Sequence, residues 1–330
     1  MSRTLLVLLA LGVPLRVAAQ NPDLALTQAE RDSILATYHQ IFPIWGRKAI
    51  ERGFDLPTPL GFNIVAFSAR QDILISNLGL GFNAPPQPVS FIKFSGAQAK
   101  LANFSARTDL WLFPFLNVYA MLGTGPGHTT VHLSDPVTFS TKAEFSGTNF
   151  GLGFTAAFGI KRNFGVIDFN HQWAKSELLS APVPVNVFSA RLGRAFRIGS
   201  PAAARGERMR GTLWIGTMFQ AMKNETNGSI RLSDVVPPGT DTLFNNYQNS
   251  AWYQALSPAE KALVDNMVQR LQGRLDTTVV NYSLNKKVAD PWNMLVGGTF
   301  DYGRHWGLRA EFGFIGRMSA LIMANYRVPL

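Results

Sequence analysis

Ten charged side chains fall in segments where charged and apolar residues alternate: Arg70, Arg107, Asp109, Asp168, Arg191, Arg197, Asp301, Arg309, Glu311 and Arg327. Alternation at period two places such residues on one face of an extended strand and their apolar neighbours on the other. On the inward face of a closed sheet of about ten strands, whose interior is narrow, these arginines and carboxylates would pair into a network that fills the lumen. The same set, richer in arginine than in carboxylate, would otherwise line a selective polar pathway biased toward anions. The segment 308–314 fixes the direction: Leu308, Ala310, Phe312 and Phe314 take one face and leave Arg309 and Glu311 the other. The reverse register would put an ionised side chain in hydrocarbon, at a cost of roughly 2–4 kcal/mol near the midplane.

Proton-transfer and nucleophilic chemistry need His, Ser or Asp groups close together. The histidines are His39, His128, His132, His171 and His305. His171 lies on the apolar face beside Phe169 and Trp173, an interfacial rather than a basic position. His128 and His132 flank Thr129-Thr130-Val131, β-branched residues that disfavour a helix. On a strand they share a face but sit about 13 Å apart, too far for one metal ion. Ser319 has no histidine within two residues. Gly123-Thr124-Gly125-Pro126-Gly127 and Gly151-Leu152-Gly153 lack the lysine and the strand-to-helix context of a phosphate loop. Without cysteine, disulfides and thiolate metal sites are excluded. The chain is read as non-enzymatic, with no metal and no cofactor.

The elements that carry the charged set are strands. They are expected at about 62–83, 98–112, 115–123, 145–160, 165–174, 184–197, 209–222, 291–303, 308–314 and 317–328, ten in all. Segment 62–83 also admits a hairpin turning near Gln71-Asp72, and 277–286 a further strand, which would give 12. With the first strand directed outward, connections at Phe113-Pro114, 161–164, 199–208 and 303–305 share one end and are mostly short. Segments 124–144 and 223–290 then form long loops at the other end.

Two helical segments stand apart. In 22–52, Thr27-Gln28-Ala29-Glu30 is a capping-box signature, Ile34, Leu35, Tyr38, Ile41 and Phe42 recur at helical spacing, and Pro43 ends or kinks the helix. It would close one end of the barrel or act as a plug. In the outer loop, Ser257 caps, Pro258 takes the first position, Glu260 completes Ser-x-x-Glu, and Leu263, Met267, Val268 and Leu271 form a face. At the start, Arg3 and then Leu5-Leu6-Val7-Leu8-Leu9-Ala10-Leu11 read as a secretory signal, cut after Ala19 with Val17 at the other small-residue position, so that Gln20 begins the mature chain.

The balance of 31 Lys+Arg against 21 Asp+Glu gives a formal charge of +10, and loss of Arg3 and Arg16 lowers it by two to +8. No compact basic run argues for nucleic acid; attraction to anionic lipid headgroups is the natural use. Hydrophobic content of 46% with 16% charged residues and a mean hydropathy of +0.05 is too polar for helical spans and poor in charge for a soluble surface. A barrel explains it, since only every second strand residue must be apolar toward lipid.

The whole chain resembles bacterial outer-membrane β-barrel proteins of an uncharacterised family. The resemblance is carried by the signal ending Val17-Ala18-Ala19, the hairpin from Arg107 to Tyr119 around Pro114, and the closing strand Ala320–Leu330, whose Ile322, Ala324, Tyr326 and Val328 share a face. That end is similar to the signal read by barrel-assembly machinery, with Leu330 after Pro329 in place of the usual terminal Phe. The resemblance implies an all-β antiparallel transmembrane barrel in the outer membrane. Residues 1–19 would be signal, 20–60 a helical periplasmic or plug segment, and 61–330 the barrel with its outer loop 223–290. Its partners would be outer-membrane lipids, lipopolysaccharide and the assembly machinery. Two functions follow: a channel or transporter for small solutes or hydrophobic compounds, or a structural or surface-interaction barrel. A lipid-modifying or proteolytic barrel enzyme is the third and weakest reading.

Overall fold

The computed structural model describes residues 25–135, 138–160, 162–200, 205–222, 225–234, 244–273 and 277–330. The expected signal segment 1–19 lies outside them. Along the chain run β1 (Leu60–Phe82), β2 (Gln87–Pro88), β3 (Lys93–Phe113), β4 (Leu116–Asp135), β5 (Phe139–Ile160), β6 (Asn163–Ser176) and β7 (Val183–Ile198). Then follow β8 (Met209–Met222), β9 (Glu225–Arg231), β10 (Val279–Val288), β11 (Trp292–Tyr302), β12 (Trp306–Phe314) and β13 (Arg317–Val328).

Ten of these, in the order β1-β3-β4-β5-β6-β7-β8-β11-β12-β13, form an antiparallel sheet that closes on itself where β13 pairs with β1 from Leu60↔Val328 to Gln71↔Arg317. Closure leaves no barrel edge unpaired, which is what a bilayer core demands of a sheet. Each strand begins or ends near where the alternation predicts. At one end lie the short turns after β3 and β11, the ends of β5 and β7 with the starts of β6 and β8, and the barrel's two chain ends at Leu60 and Val328. The β12–β13 turn at the opposite end is Ile315-Gly316, both with positive φ (65° and 81°), the combination a two-residue hairpin of matching twist requires.

The wall is uneven. β11, β12 and β13 have 11, 9 and 12 residues, close to the roughly 9–11 that cross a bilayer when tilted. β1, β3, β4 and β5 have 23, 21, 20 and 22 and project well beyond. This corrects the expected loop over 124–144: β4 continues to Asp135 and β5 starts at Phe139, paired from Gly125↔Gly147 to Leu133↔Phe139. Backbone hydrogen bonds propagate a ladder whether or not its side chains meet lipid, so strands need not stop at the membrane surface. Segment 62–83 is one strand, not a hairpin. Above Gln71 it leaves β13 and pairs with β10, from Ile73↔Val288 to Phe82↔Val280.

The described parts of the expected outer loop 223–290 are likewise structured. β9 pairs with β10, the strand that 277–286 admitted, and the chain between them carries helices. Among the described residues the α-helices are α1 (Gln28–Ala36), α2 (Gly46–Glu51), α3 (Ala251–Gln254) and α4 (Pro258–Gly273). α4 follows the Ser257 and Glu260 capping box. Its Val264 and Val268 are buried with Phe82, Val280, Leu232, Phe244 and Tyr253 in a core separate from the barrel interior. The expected helix over 22–52 is in fact α1 and α2 with an irregular stretch between. α1 has its capping box at Thr27 and Glu30 but buries no residue, so nothing sustains it beyond Ala36. Pro43, and Trp45 at φ 70°, break the stretch before α2.

Candidate functional site: the charged lumen and its closed mouth

The outer surface of the barrel is apolar. Phe104, Leu122, Leu192, Leu213, Ile215, Phe312 and Ile322 each expose more than half their area, in alternation with inward polar residues. Aromatic pairs border this belt: Trp306 with Tyr326 near the short-turn end, and Phe150 with Trp173 and Phe219 with Trp292 toward the other. A closed antiparallel barrel with such a belt has the architecture of bacterial outer-membrane proteins. His171 lies on this outer face, edge-on to Trp173, its Nδ1 2.7 Å from Asn186 Oδ1. His128 and His132 lie on β4, four residues apart on a strand.

Inside, polar side chains bridge strands that are not neighbours. Asp109 on β3 receives Arg327 Nη2 from β13 at 2.8 Å, across β1. It also accepts from Asn63 Nδ2 at 2.7 Å and Asn117 Nδ2 at 2.6 Å, so the buried carboxylate is fully satisfied. The bridge is possible because the β1 residue paired with both partners is Gly61: a Cβ there would stand 2.6 Å from Asp109 Oδ2 and 2.7 Å from Arg327 Nη1. Arg107 lies over the Tyr119 ring at 3.5 Å. Tyr119 donates to Asp168 across β5, where Thr155 donates to the same carboxylate at 2.6 Å.

The second bridge centres on Glu311 of β12. Arg191 of β7 meets it with two bonds, Nε at 2.6 Å and Nη2 at 2.9 Å, the fork geometry that suits arginine to carboxylate. Arg309 Nη2 and Trp214 Nε1 each add a bond at 2.9 Å. Trp214 reaches Glu311 over Gly297, whose Cβ, if present, would be 2.7 Å from the indole.

The structure therefore brings the seven together as two groups: Arg107, Asp109, Asp168 and Arg327 in one, linked through Asn117 and Tyr119, and Arg191, Arg309 and Glu311 in the other. Arg197 and Asp301 lie around a cavity at the short-turn end, whose wall they share with Arg327. Arg70 is a correction: it is exposed on the face that carries Phe62, Ile64 and Leu74, with Nη2 3.9 Å from Met318 Sδ. Its strand hides the parity, because the inward face there is partly apolar, with Val65 and Ile73 buried.

The short-turn mouth is spanned by residues 25–59. On one side Ile44 N bonds Leu112 O at 2.8 Å and Trp45 packs on Phe113. Elsewhere on the rim, Glu30 pairs with Arg208, Asp55 with Arg210 at 3.2 Å, and Thr58 Oγ1 donates to Arg304 O at 2.9 Å. Burial pushes the Glu30 carboxyl up, but the Thr27 backbone N–H and hydroxyl and the Arg208 guanidinium outweigh it, and its pKa lies below the ordinary value. Sequence reasoning missed this half of the site. Arg208 and Arg210 sit at a strand boundary, where alternation is too short to read, while Asp55 and Thr58 lie in irregular chain. Trp214 and Tyr119 were legible only as strand residues, since an aromatic serves a lumen as well as a belt.

No family model matches the chain, and no curated protein is significantly similar to it. Among solved structures it is similar to the beta domain of the Bordetella autotransporter BrkA, at 12% identity over 82% of this chain and 100% of that one, with a TM-score of 0.37. The outer membrane protein OprG from Pseudomonas aeruginosa matches at 10% identity over 83% and 100%, with a TM-score of 0.33. The Ralstonia pickettii toluene transporter TbuX matches at 8% identity over 82% and 90%, with a TM-score of 0.30.

Proposed function

We propose that the protein is an outer-membrane channel for small polar solutes, held shut at rest by its lumen charges and by the segment over its short-turn mouth. The observation that carries this reading is the buried Arg191–Glu311–Arg309 bridge. A barrel serving only as a wall gains nothing from it, because well-packed apolar residues of similar volume are often as stable as a buried ion pair, or more so. A polar solute path needs such groups. In this reading the short-turn end faces the periplasm, where the assembly machinery engages β13, and the projecting strands face lipopolysaccharide outside. No catalysis is assigned to it.

Planar-bilayer recording of the purified protein tests it. The wild type should be silent or nearly so. Glu311→Ala, which leaves Arg191 and Arg309 repelling each other, should open a measurable conductance, and deletion of 25–59 should increase it further. If both variants insert, show the barrel's heat-dependent gel shift and stay silent, the channel reading fails. What then stands is a surface-interaction barrel, which the separately packed β9–β10–α3–α4 unit supports.

A further inference from the structure

Arg317 opens β13 at the end of the barrel away from the short turns, on the face that turns Asn325 and Arg327 to the lumen. It stands opposite Gln71, the last β1 residue to pair with β13 before β1 passes to β10. Arg191, Arg309 and Arg327 each meet a carboxylate. Arg317 meets none among the described residues, and its neighbours are neutral. It donates to Gln220 Oε1, its Nη2 lies 3.2 Å from Met218 Sδ, and its guanidinium stands 5.8 Å over the Phe67 ring. Its Nε is buried without a hydrogen-bond partner.

A second orphan stands beside it. Asn293 on β11 is 4% exposed, and both its Oδ1 and its Nδ2 are buried without a partner, although buried polar groups of this kind nearly always find one. Arg317, Asn293, Gln71 and Gln220 line one cleft of about 10 Å³, which is room for a single particle near the size of water. Asp290 lies on the same wall, but its Oδ1 takes the Trp292 N–H at 3.0 Å and it forms no ion pair with Arg317. A water molecule in the cleft would serve Asn293 and still leave the guanidinium without a counter-charge.

We infer that this cleft is a binding site for a monatomic anion of the halide class, held by the Arg317 guanidinium together with the amide N–H groups of Asn293 and Gln71. Arginine carries five N–H donors and no acceptor, and each carboxamide adds two more donors, so the cleft is rich in groups that an anion satisfies. Its size sets the class: phosphate, sulfate and carboxylic acids have several heavy atoms and exceed it, whereas chloride is little larger than water. Binding is read without conduction, so failure of the channel reading would leave this site standing.

Broadening of the chloride NMR line by the full chain in detergent tests this. The folded wild type should broaden the line through a saturable site from which bromide displaces chloride and sulfate does not. Arg317→Gln should weaken binding by about tenfold or more, the loss of a charge-assisted contact. Asp290→Asn should tighten it by removing a repelling carboxylate from the wall, and Lys287→Gln, which neutralises an exposed cation nearby, should leave it unchanged. Arg317 takes part in no ion pair among the described residues, so its neutralisation should leave the barrel folded, as the heat-dependent gel shift checks. Absence of a saturable component in the folded wild type, equal displacement by sulfate, or binding indifferent to Arg317→Gln or to Asp290→Asn would overturn the inference.

Discussion

Glu30 ties the mouth segment to the barrel through one carboxylate, so that contact should follow its protonation. Its folded pKa lies below the ordinary 4.5, with burial opposing the shift and Thr27 and Arg208 driving it. A depressed carboxylate contributes stability that is present above the unfolded value and is lost as pH falls through the folded one. Docking of 25–59 should therefore be unchanged from neutral pH down to the ordinary glutamate range and loosen only in stronger acid. The chain has no cysteine, so a spin label at Ser33→Cys on α1 reports this directly. The label should stay immobile at pH 6 and gain mobility below about pH 4. In Glu30→Gln that acid transition should vanish, with the label already more mobile at pH 6. An acid transition that survives Glu30→Gln would assign it to another group.

The β9–β10–α3–α4 unit is an element with its own core. Val264 is fully buried and Val268 is 3% exposed, packed against Phe82 and Val280 rather than against the lumen. Tyr247 and Tyr253 both donate to Asp265 on α4, at 2.6 and 2.9 Å, which fixes the helix against the preceding turn. Burial first, and then Asp265, pushes the Tyr247 phenol up to about 12, so the bond persists through any ordinary assay pH. Val264→Asp would bury an unpaired charge, at about 3–5 kcal/mol. The expected result is selective loss of this unit: limited proteolysis should cut within 244–273 while the heat-dependent gel shift of the barrel is retained. Joint loss of both would show that the unit is part of the barrel's folding core.

At the scale of the whole molecule, closure is the property on which lumen and belt both depend. Asn63 and Asn325 are Cα partners across the β1–β13 seam, with Asn325 Nδ2 donating to Asn63 Oδ1 at 2.7 Å. Cysteines at both positions should form a disulfide on mild oxidation and hold the barrel closed in hot detergent, visible as a reducible change in gel migration. Pairing instead with position 324 or 326 would mean a register shifted by one, which turns every side chain of β13 to the opposite face. Much of this was legible in the sequence. Period-two alternation marked ten strands, two of them at their observed ends, and the parity of 308–314 set Glu311 opposite Phe312, because the face of a strand residue is decided by its own neighbours. The capping boxes at Thr27 and Ser257 were equally local. What the sequence could not decide was who meets whom. Arg191 reaches Glu311 across β8 and β11, and Arg327 reaches Asp109 over Gly61, through the stagger that closure imposes on non-adjacent strands. The change of β1 from β13 to β10 above Gln71, and the fastening of 25–59 by Arg208 and Arg210, likewise join residues more than 150 positions apart. Contacts of that kind leave no periodic trace in the chain and exist only once the barrel has closed.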